Sequence, residues 1–169
     1  MIYYHGTPDS FRKFDLNKAS DYKDFGKGIY LSQEEWHATS IAKRRNKDHA
    51  YVMKYDIDIK EMRKVLKVRE FKKTSIDWIK FVLLNRNQII HTEYDVIIGG
   101  TADAAAQSIL EQFYRFWRNR GGNIGRKQYR ELIVQLAPNK YPIQMCLLTQ
   151  KAVDYVNDRY IDREDKNGK

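Results

Sequence analysis

The strongest periodicity in the chain lies in residues 51–59. Apolar side chains occupy every second position there, and charged side chains stand between most of them: Tyr51, Met53, Tyr55, Ile57 and Ile59 alternate with Lys54, Asp56 and Asp58. Successive side chains of a β-strand point to opposite faces of a sheet. The pattern therefore predicts a strand with one face buried in a core and the other face hydrated.

Further predicted strands and helices alternate along the chain. Short apolar runs predict strands at 2–5, 28–31, 65–71, 94–100 and 141–149. Helices are predicted over 105–116, 127–137 and 150–160. Two more helices are predicted from their N-terminal caps: one from Gln33, where Ser32 and Glu35 match a capping box, and one from Thr74 or Ser75.

This order of elements predicts an α+β domain with split sheets and flanking helices. The chain is long enough for one domain with its own core, which we place at residues 1–160. Residues 161–169 are rich in charge and are predicted to form a frayed, flexible tail.

Basic residues outnumber acidic residues by 31 to 22, which gives a formal net charge of +9. Part of this excess falls between residues 118 and 130, where no acidic residue occurs. Such a cluster attracts polyanions and predicts a surface for a nucleic acid or another target, although a solvated face is the alternative. The cluster, called the arginine-rich segment below, consists of Arg118, Arg120, Arg126, Lys127 and Arg130.

Several common kinds of site have no counterpart in the sequence. It contains no HExxH, G-x-S-x-G or G-x-x-x-x-G-K-[ST] motif, and the single cysteine, Cys146, has no second thiol as a partner. His37, His49 and His91 have no partner at ligand spacing and are expected to be surface or capping residues. We therefore expect no metal site.

The apolar runs are all short. None approaches the roughly 18 residues that a membrane span needs, and the first residues do not show the pattern of a signal peptide. A single cysteine also fits a reducing compartment. We expect a cytoplasmic protein that makes no membrane contact.

Two motifs near the N-terminus resemble those of a known superfamily. YHGT at 4–7 is followed by DFGKGIYLS at 24–32. This pair resembles the ADP-ribosyltransferase superfamily, specifically its His-Tyr-Glu branch, which includes the poly(ADP-ribose) polymerases and diphtheria toxin. The chain is also similar to a family of small bacterial proteins of uncharacterised function with this fold, through short motifs at 85–86, 94–99, 102–103 and 144–152.

The resemblance implies that NAD is the substrate and lies in a cleft between two small sheets. His5 would hydrogen-bond a ribose hydroxyl, and Gly6 would present its main chain to the carboxamide, with Thr7 as a polar neighbour. Tyr30 would stack on the cationic nicotinamide ring. The other residues that the resemblance assigns to the cofactor site, in the same motif as Tyr30, are Asp24 and Gly28.

The third residue of the His-Tyr-Glu signature is different in this chain. The glutamate expected at the start of a late strand is matched by Gln144, in YPIQMCLLT. Scission of the nicotinamide–ribose bond builds positive charge on the ribose, which a carboxylate stabilises better than an amide does. Gln144 can accept a hydrogen bond from a ribose hydroxyl but cannot act as a general base. Gln135 is the rival, although its predicted helical setting counts against it, and a base from Asp103 or from the target stays open.

The resemblance implies a mono-ADP-ribosyltransferase that modifies a nucleic acid or a protein, with His5, Tyr30 and Gln144 as catalytic residues. The small size and the bacterial family indicate a toxin or phage-defence effector, with a possible antitoxin as partner. The alternatives are an NAD glycohydrolase and a non-catalytic module that binds NAD or nucleic acid. Each of the three residues alone also fits an ordinary structural role, and only their joint order favours a site.

Overall fold

The computed structural model describes residues 1–21, 23–87, 92–102, 104–136 and 141–166. Within them the strands are β1 Ile2–Thr7, β2 Ile29–Ser32, β3 Tyr51–Asp56, β4 Val68–Glu70, β5 Val96–Gly100, β6 Ile143–Leu147 and β7 Tyr160–Asp165. The α-helices are α1 Glu35–Arg45, α2 Ile59–Val65, α3 Ile76–Arg86, α4 Ala104–Asn119, α5 Arg126–Leu136 and α6 Gln150–Asn157, with a 3-10 helix at Leu16–Lys18. None of the helices in these ranges is long and apolar enough to cross a bilayer.

All of these strands belong to one sheet, in the order β4-β5-β6-β2-β1-β3-β7. Neighbouring strands are antiparallel except for β4 and β5, which are parallel. β1 pairs with β3 along its whole length, whereas its register with β2 is limited to Tyr4 opposite Ser32. The α+β class is confirmed. The structure differs from the expected split sheets, because all strands of the described residues form one sheet. The pairing in this sheet is shortest between β1 and β2, where one residue pair joins the strands.

Apolar side chains cover both faces of the sheet. On one face, Met62 of α2 and Val153 of α6 belong to a core that includes Val96 and Ile98 of β5. On the other face, Ile97 belongs to a second core with residues of α3, α4 and α5. Since helices cover both faces, the central strands β5 and β6 are apolar at nearly every position, as is typical of fully buried strands.

The helices α3, α4, α5 and α6 lie where the sequence predicts them, except that α6 ends at Asn157 and Tyr160 begins β7. Ser75 caps α3, because its side chain accepts a hydrogen bond from a backbone N–H of the first turn. α1 begins at Glu35 rather than at Gln33. Ser32 remains in β2, and its Oγ accepts from the backbone N–H of Glu34 at 3.1 Å, so the predicted capping box is wrong.

The strand predicted at 51–59 is confirmed only as far as Asp56, where β3 ends. Asp58 then accepts hydrogen bonds from the backbone N–H groups of Lys60 and Glu61, which makes it the N-cap of α2. The predicted strand at 65–71 is accordingly shortened to β4. Val52 is fully buried on the face predicted to be hydrated, because α1 packs against that side of β1 and β3.

Strand β7 occupies most of the predicted flexible tail, and the tail prediction is wrong over residues 161–165. β7 pairs antiparallel with β3, which otherwise would present an unpaired edge. Lys54 and Lys166 form ion pairs with Glu164 along this edge. One of these ion pairs, Lys54 with Glu164, crosses from β3 to β7, and long-range backbone pairing supplies order that composition does not reveal. Residues 167–169 lie outside the described part of the chain.

We predict that β7 contributes measurably to stability. A chain that ends at Asp158 loses the strand and its backbone hydrogen bonds to β3, and its midpoint of thermal unfolding should fall by about 5 °C or more. A chain that ends at Lys166 keeps β7 and should unfold at the temperature of the full chain. Circular dichroism during heating measures both, and equal midpoints for the two truncations would contradict the prediction.

Candidate functional site

Tyr30 lies in β2, directly after the loop that carries DFGKG. Gly26 in this loop has a φ of +96°, a conformation that favours glycine. The Tyr30 hydroxyl donates to the main-chain oxygen of Gly26 at 2.7 Å and accepts from the N–H of Phe25 at 3.0 Å. Burial raises the pKa of Tyr30 well above its usual value, so the hydroxyl stays protonated. The loop thus fixes the hydroxyl end of the ring, while the side chain remains partly exposed.

Two glycines of the predicted cofactor site are required by packing. A Cβ on Gly6 would lie 1.8 Å from the carbonyl oxygen of Ala38 in α1, and a Cβ on Gly28 would lie 2.5 Å from the Sγ of Cys146 in β6. Glycine at position 6 allows α1 to pack closely on β1, and glycine at position 28 allows β6 to lie close to the residues before β2. The contact of the Gly6 main chain with a carboxamide stays a prediction.

His5 connects β1 to β2 beyond the point where their pairing ends. Its Nδ1 lies 2.7 Å from the main-chain oxygen of Tyr30. A carbonyl oxygen can only accept, so Nδ1 carries the proton and Nε2 of the neutral ring is left as an acceptor. The ring packs edge-on against Phe14, with centroids 4.8 Å apart at 81°.

The environment of His5 keeps the imidazole neutral at neutral pH. Burial lowers the pKa of His5 to about 4, while the hydrogen bond to Tyr30 opposes this shift and the positive charge of Arg45 adds to it. The tautomer inferred above is therefore the form that a ligand would meet.

Gln144 and Asp24 form a buried hydrogen-bonded pair. The Nε2 of Gln144 donates to Oδ2 of Asp24 at 2.9 Å, and their residues are 6% and 5% exposed. Oδ2 also accepts from the backbone N–H of Ala102 at 2.9 Å, and Oδ1 accepts from Nε of Arg86 at 2.8 Å. Both oxygens of Asp24 are engaged, so this residue, which the resemblance assigned to the cofactor, holds Gln144 in place.

The hydrogen bond to Asp24 also orients the amide of Gln144. The nitrogen and the oxygen lie at opposite ends of an amide group, so the oxygen points away from the carboxylate. Arg86 belongs to the short motif at 85–86, to which the sequence alone attached no role. The ion pair of Arg86 with Asp24 gives it one.

The register of the sheet shows which of these side chains share a face. The pairing of β2 with β6 places Tyr30 and Gln144 on the same face. The pairing of β1 with β2 places His5 on the opposite face. The structure thus groups Tyr30, Asp24 and Gln144 on one side, and His5 reaches this group through the Tyr30 carbonyl from the other side.

His37 is a neighbour of this group. From the sequence it is expected to be an ordinary surface or capping residue. Its Nδ1 lies 3.1 Å from the Oγ of Ser32, which stands opposite Gln144 in the sheet. Burial lowers the pKa of His37, the charge of Arg44 lowers it further, and the charge of Asp24 opposes both. Only the position of Ser32 at the end of β2, five residues before His37 in the first turn of α1, could have indicated this contact.

The remaining predicted residues are more distant from this group or serve local structure. Thr7 is buried, and its Oγ1 accepts from the N–H of Asp9 at 3.1 Å. Gln135, the rival of Gln144, lies in α5 as predicted and is exposed. Asp103 and His91 lie outside the described residues.

The arginine-rich segment spans the end of α4, the following turn and the start of α5. All five of its basic side chains are exposed. Within the described residues, none of them takes part in an ion pair. The segment therefore presents its charge to solvent, as a surface for a polyanion requires.

Cavities are found away from the group around Asp24. One of about 340 Å³ is lined by residues including Tyr3, Gln33 and Ile143. Another of about 270 Å³ lies between α3, α4 and α5. Among the described residues, no group of three or more His, Cys, Asp or Glu side chains is arranged to hold a metal ion.

Comparison with known proteins places the chain in a family. The family described as a protein of unknown function, DUF3990, matches residues 1–157. The chain belongs to this family. No curated protein matches the chain, and no solved structure matches it.

The low pKa of His5 predicts a pH dependence of stability. The pKa is 6.5 in the unfolded chain and about 4 in the folded protein, so between these values the unfolded state binds more protons. Stability should fall as the pH drops through this range, by up to about 3 kcal/mol from His5. We expect the midpoint of thermal unfolding of His5→Asn to lie below that of the wild type at pH 7. Between pH 7 and pH 4 this midpoint should fall by less than the midpoint of the wild type does. Parallel losses would show that the prediction is wrong.

A glutamate at position 144 should be unfavourable beside Asp24. Two carboxylates at this distance raise the pKa of one of them, so the stability of Gln144→Glu should be lost as the pH rises through that raised value. We expect a midpoint of thermal unfolding about 5 °C below the wild type at pH 7 and a smaller difference at pH 5.

The matched control for this variant exchanges the two groups. Asp24→Asn combined with Gln144→Glu retains one carboxylate and should recover part of the lost midpoint at pH 7. If Gln144→Glu alone unfolded like the wild type at both pH values, the assigned pairing of Gln144 with Asp24 would be contradicted.

Proposed function

We propose that this protein is a mono-ADP-ribosyltransferase that transfers ADP-ribose from NAD to a macromolecule, a nucleic acid or a protein, and that its sheet is of the ADP-ribosyltransferase type. The observation that carries the proposal is the hydrogen bond from His5 to the main chain of Tyr30. It joins the two motifs that resemble the superfamily, and it does so where β1 leaves β2.

The residues at this junction suit the parts of NAD that the resemblance assigns to them. Nε2 of His5 is an acceptor, so a ribose hydroxyl would donate to it. Tyr30 is a half-buried residue whose ring is held at its hydroxyl end, which suits stacking on the cationic nicotinamide. A dinucleotide lying across the gap between β1 and β2 would meet His5 from one side and Tyr30 from the other.

The reaction breaks the bond between the nicotinamide nitrogen and C1′ of the ribose. An oxygen or nitrogen of the acceptor forms a new bond to C1′, the bonding electrons leave with neutral nicotinamide, and the acceptor loses its proton. Gln144 positions a ribose hydroxyl through the oxygen of its amide. His37, which contacts Ser32 opposite Gln144, is a group that can take the proton.

The proposed biological setting is that of a toxin or a phage-defence effector. An effector of this kind acts on a macromolecular target and is held in check in its own cell. We propose that the exposed arginine-rich segment recruits the target and that an antitoxin partner inhibits the enzyme. Contacts to phosphates would make recruitment of a nucleic acid strongly dependent on salt.

Transfer of adenine-labelled NAD into a bacterial lysate tests the proposal. The purified protein should place label in a macromolecular fraction, and digestion with protease or nuclease identifies the class of acceptor. Tyr30→Ala removes the stacking ring and should lower incorporation about tenfold or more. Tyr30→Phe keeps the ring and is the matched control, which should retain most of the transfer.

The other outcomes separate the alternative functions. Release of nicotinamide without label in any macromolecule would indicate an NAD glycohydrolase. Intact NAD with no label would leave a binding module and refute the transferase. Unchanged incorporation by a folded Tyr30→Ala protein would show that the assignment of Tyr30 is wrong.

A further inference from the structure

The cavity of about 270 Å³ has no part in the proposed chemistry. It lies between α3, α4 and the turn that leads into α5, and its lining includes Leu83, Leu84, Tyr114, Trp117, Ile124 and Tyr129. Pockets for drug-sized ligands begin at about 300 Å³. This cavity therefore suits a single ring system rather than a whole dinucleotide such as NAD.

Three of the residues that line the cavity are aromatic. Tyr114 and Trp117, one turn apart on α4, stack with centroids 5.6 Å apart at 22°. Gly122 has a φ of +80°, and a Cβ there would lie 3.2 Å from the Trp117 ring, so the turn after α4 packs directly on the indole. Both residues line the cavity, so the stacked pair offers it flat apolar surface of the kind on which a nucleobase stacks.

Positive charge adjoins the cavity at Lys80, which lines it, and two exposed arginines follow lining aromatic residues in the chain. Arg118 follows Trp117 in the chain, Arg130 follows Tyr129, and Nζ of Lys80 lies 5.3 Å from the centre of the Tyr129 ring. These basic side chains are exposed, and no acidic residue occurs from position 112 to position 130. The helices that form the cavity thus carry exposed positive charge, which complements the phosphates of a bound strand.

We propose that this cavity binds one unpaired base of a single-stranded nucleic acid, while the arginine-rich segment contacts the flanking phosphates. An aromatic stack beside a positively charged surface is the usual arrangement for single strands. A duplex keeps its bases stacked within the helix and cannot place one in the cavity without unstacking it. The inference rests on the proposed function in one respect: binding of the strand at this cavity would recruit the acceptor of the transferase.

Fluorescence anisotropy with the full-length protein and no NAD tests the base pocket. The probes are fluorescein-labelled 12-nucleotide RNA, DNA of the same sequence and the corresponding DNA duplex. Both single strands should bind more tightly than the duplex, and the tighter of the two identifies the preferred sugar. Trp117→Leu keeps apolar bulk but removes the ring, and it should weaken single-strand binding about tenfold while leaving duplex binding unchanged.

A second aromatic variant and a matched pair of charge variants make the test specific. Tyr114→Leu should act as Trp117→Leu does, which covers the case in which one variant fails to fold. Arg118→Gln with Arg126→Gln should reduce the slope of log affinity against log salt by about 1.4, or 0.7 for each phosphate contact. Lys43→Gln with Arg44→Gln removes the same charge from α1 and should leave that slope unchanged.

Two results would overturn the inference. One is single-strand binding by folded Trp117→Leu and Tyr114→Leu that equals the wild type. The other is an equal loss of single-strand and duplex binding in these variants, which would indicate a surface for charge alone. Because the assay contains no NAD, failure here leaves the transferase proposal standing, and absence of label transfer would leave the base pocket standing.

Discussion

The buried carboxylate of Asp24 joins the parts of the chain that carry the proposed site. It accepts hydrogen bonds from Arg86 at the end of α3, from Ala102 after β5 and from Gln144 in β6. Burial of a charge costs several kcal/mol, which only well-placed partners recover. Loss of one partner of such a pair costs about 3 to 5 kcal/mol, because the other charge stays buried. The loop before Tyr30 therefore has one defined position relative to β6.

The same carboxylate accounts physically for an amide at position 144. A glutamate there would face Asp24 within hydrogen-bond distance, and one of the two groups would have to keep a proton. The amide of Gln144 donates a hydrogen bond to Asp24, and this contact requires no proton on the carboxylate. In the proposed transferase the negative charge of the site thus belongs to Asp24, where Arg86 neutralises part of it. Departure of nicotinamide then receives less charge stabilisation, which favours an acceptor that is itself a good nucleophile.

Local patterns in the sequence predicted local structure well. Alternation indicated β3, helical spacing indicated α5, and Ser75 marked the start of α3. The failures arose where a side chain or a distant strand overrides the local pattern. β3 ends at Asp56 because Asp58 caps α2, and β7 forms by pairing with β3, which lies far away in the sequence. From charge composition alone, the residues of β7 are predicted to form a solvated tail.

The contacts of the candidate site could not be read from the sequence. Asp24 is 62 residues from Arg86 and 120 residues from Gln144. Hydrogen bonds across such separations leave no local signature, although each of these residues lies in a short motif, at 24–32, 85–86 or 144–152. The motifs located the residues, and the structure supplied the relation between them: Asp24 positions Gln144, while His5 joins Tyr30 through its main chain.

A crystal structure of the protein with NAD, or with nicotinamide and ADP-ribose, is the most direct test of the central claim. We expect a nicotinamide ring stacked on Tyr30, a ribose hydroxyl donating to Nε2 of His5, and the amide of Gln144 still hydrogen-bonded to Asp24. A ligand bound elsewhere, with both Tyr30 and His5 uncontacted, would contradict it.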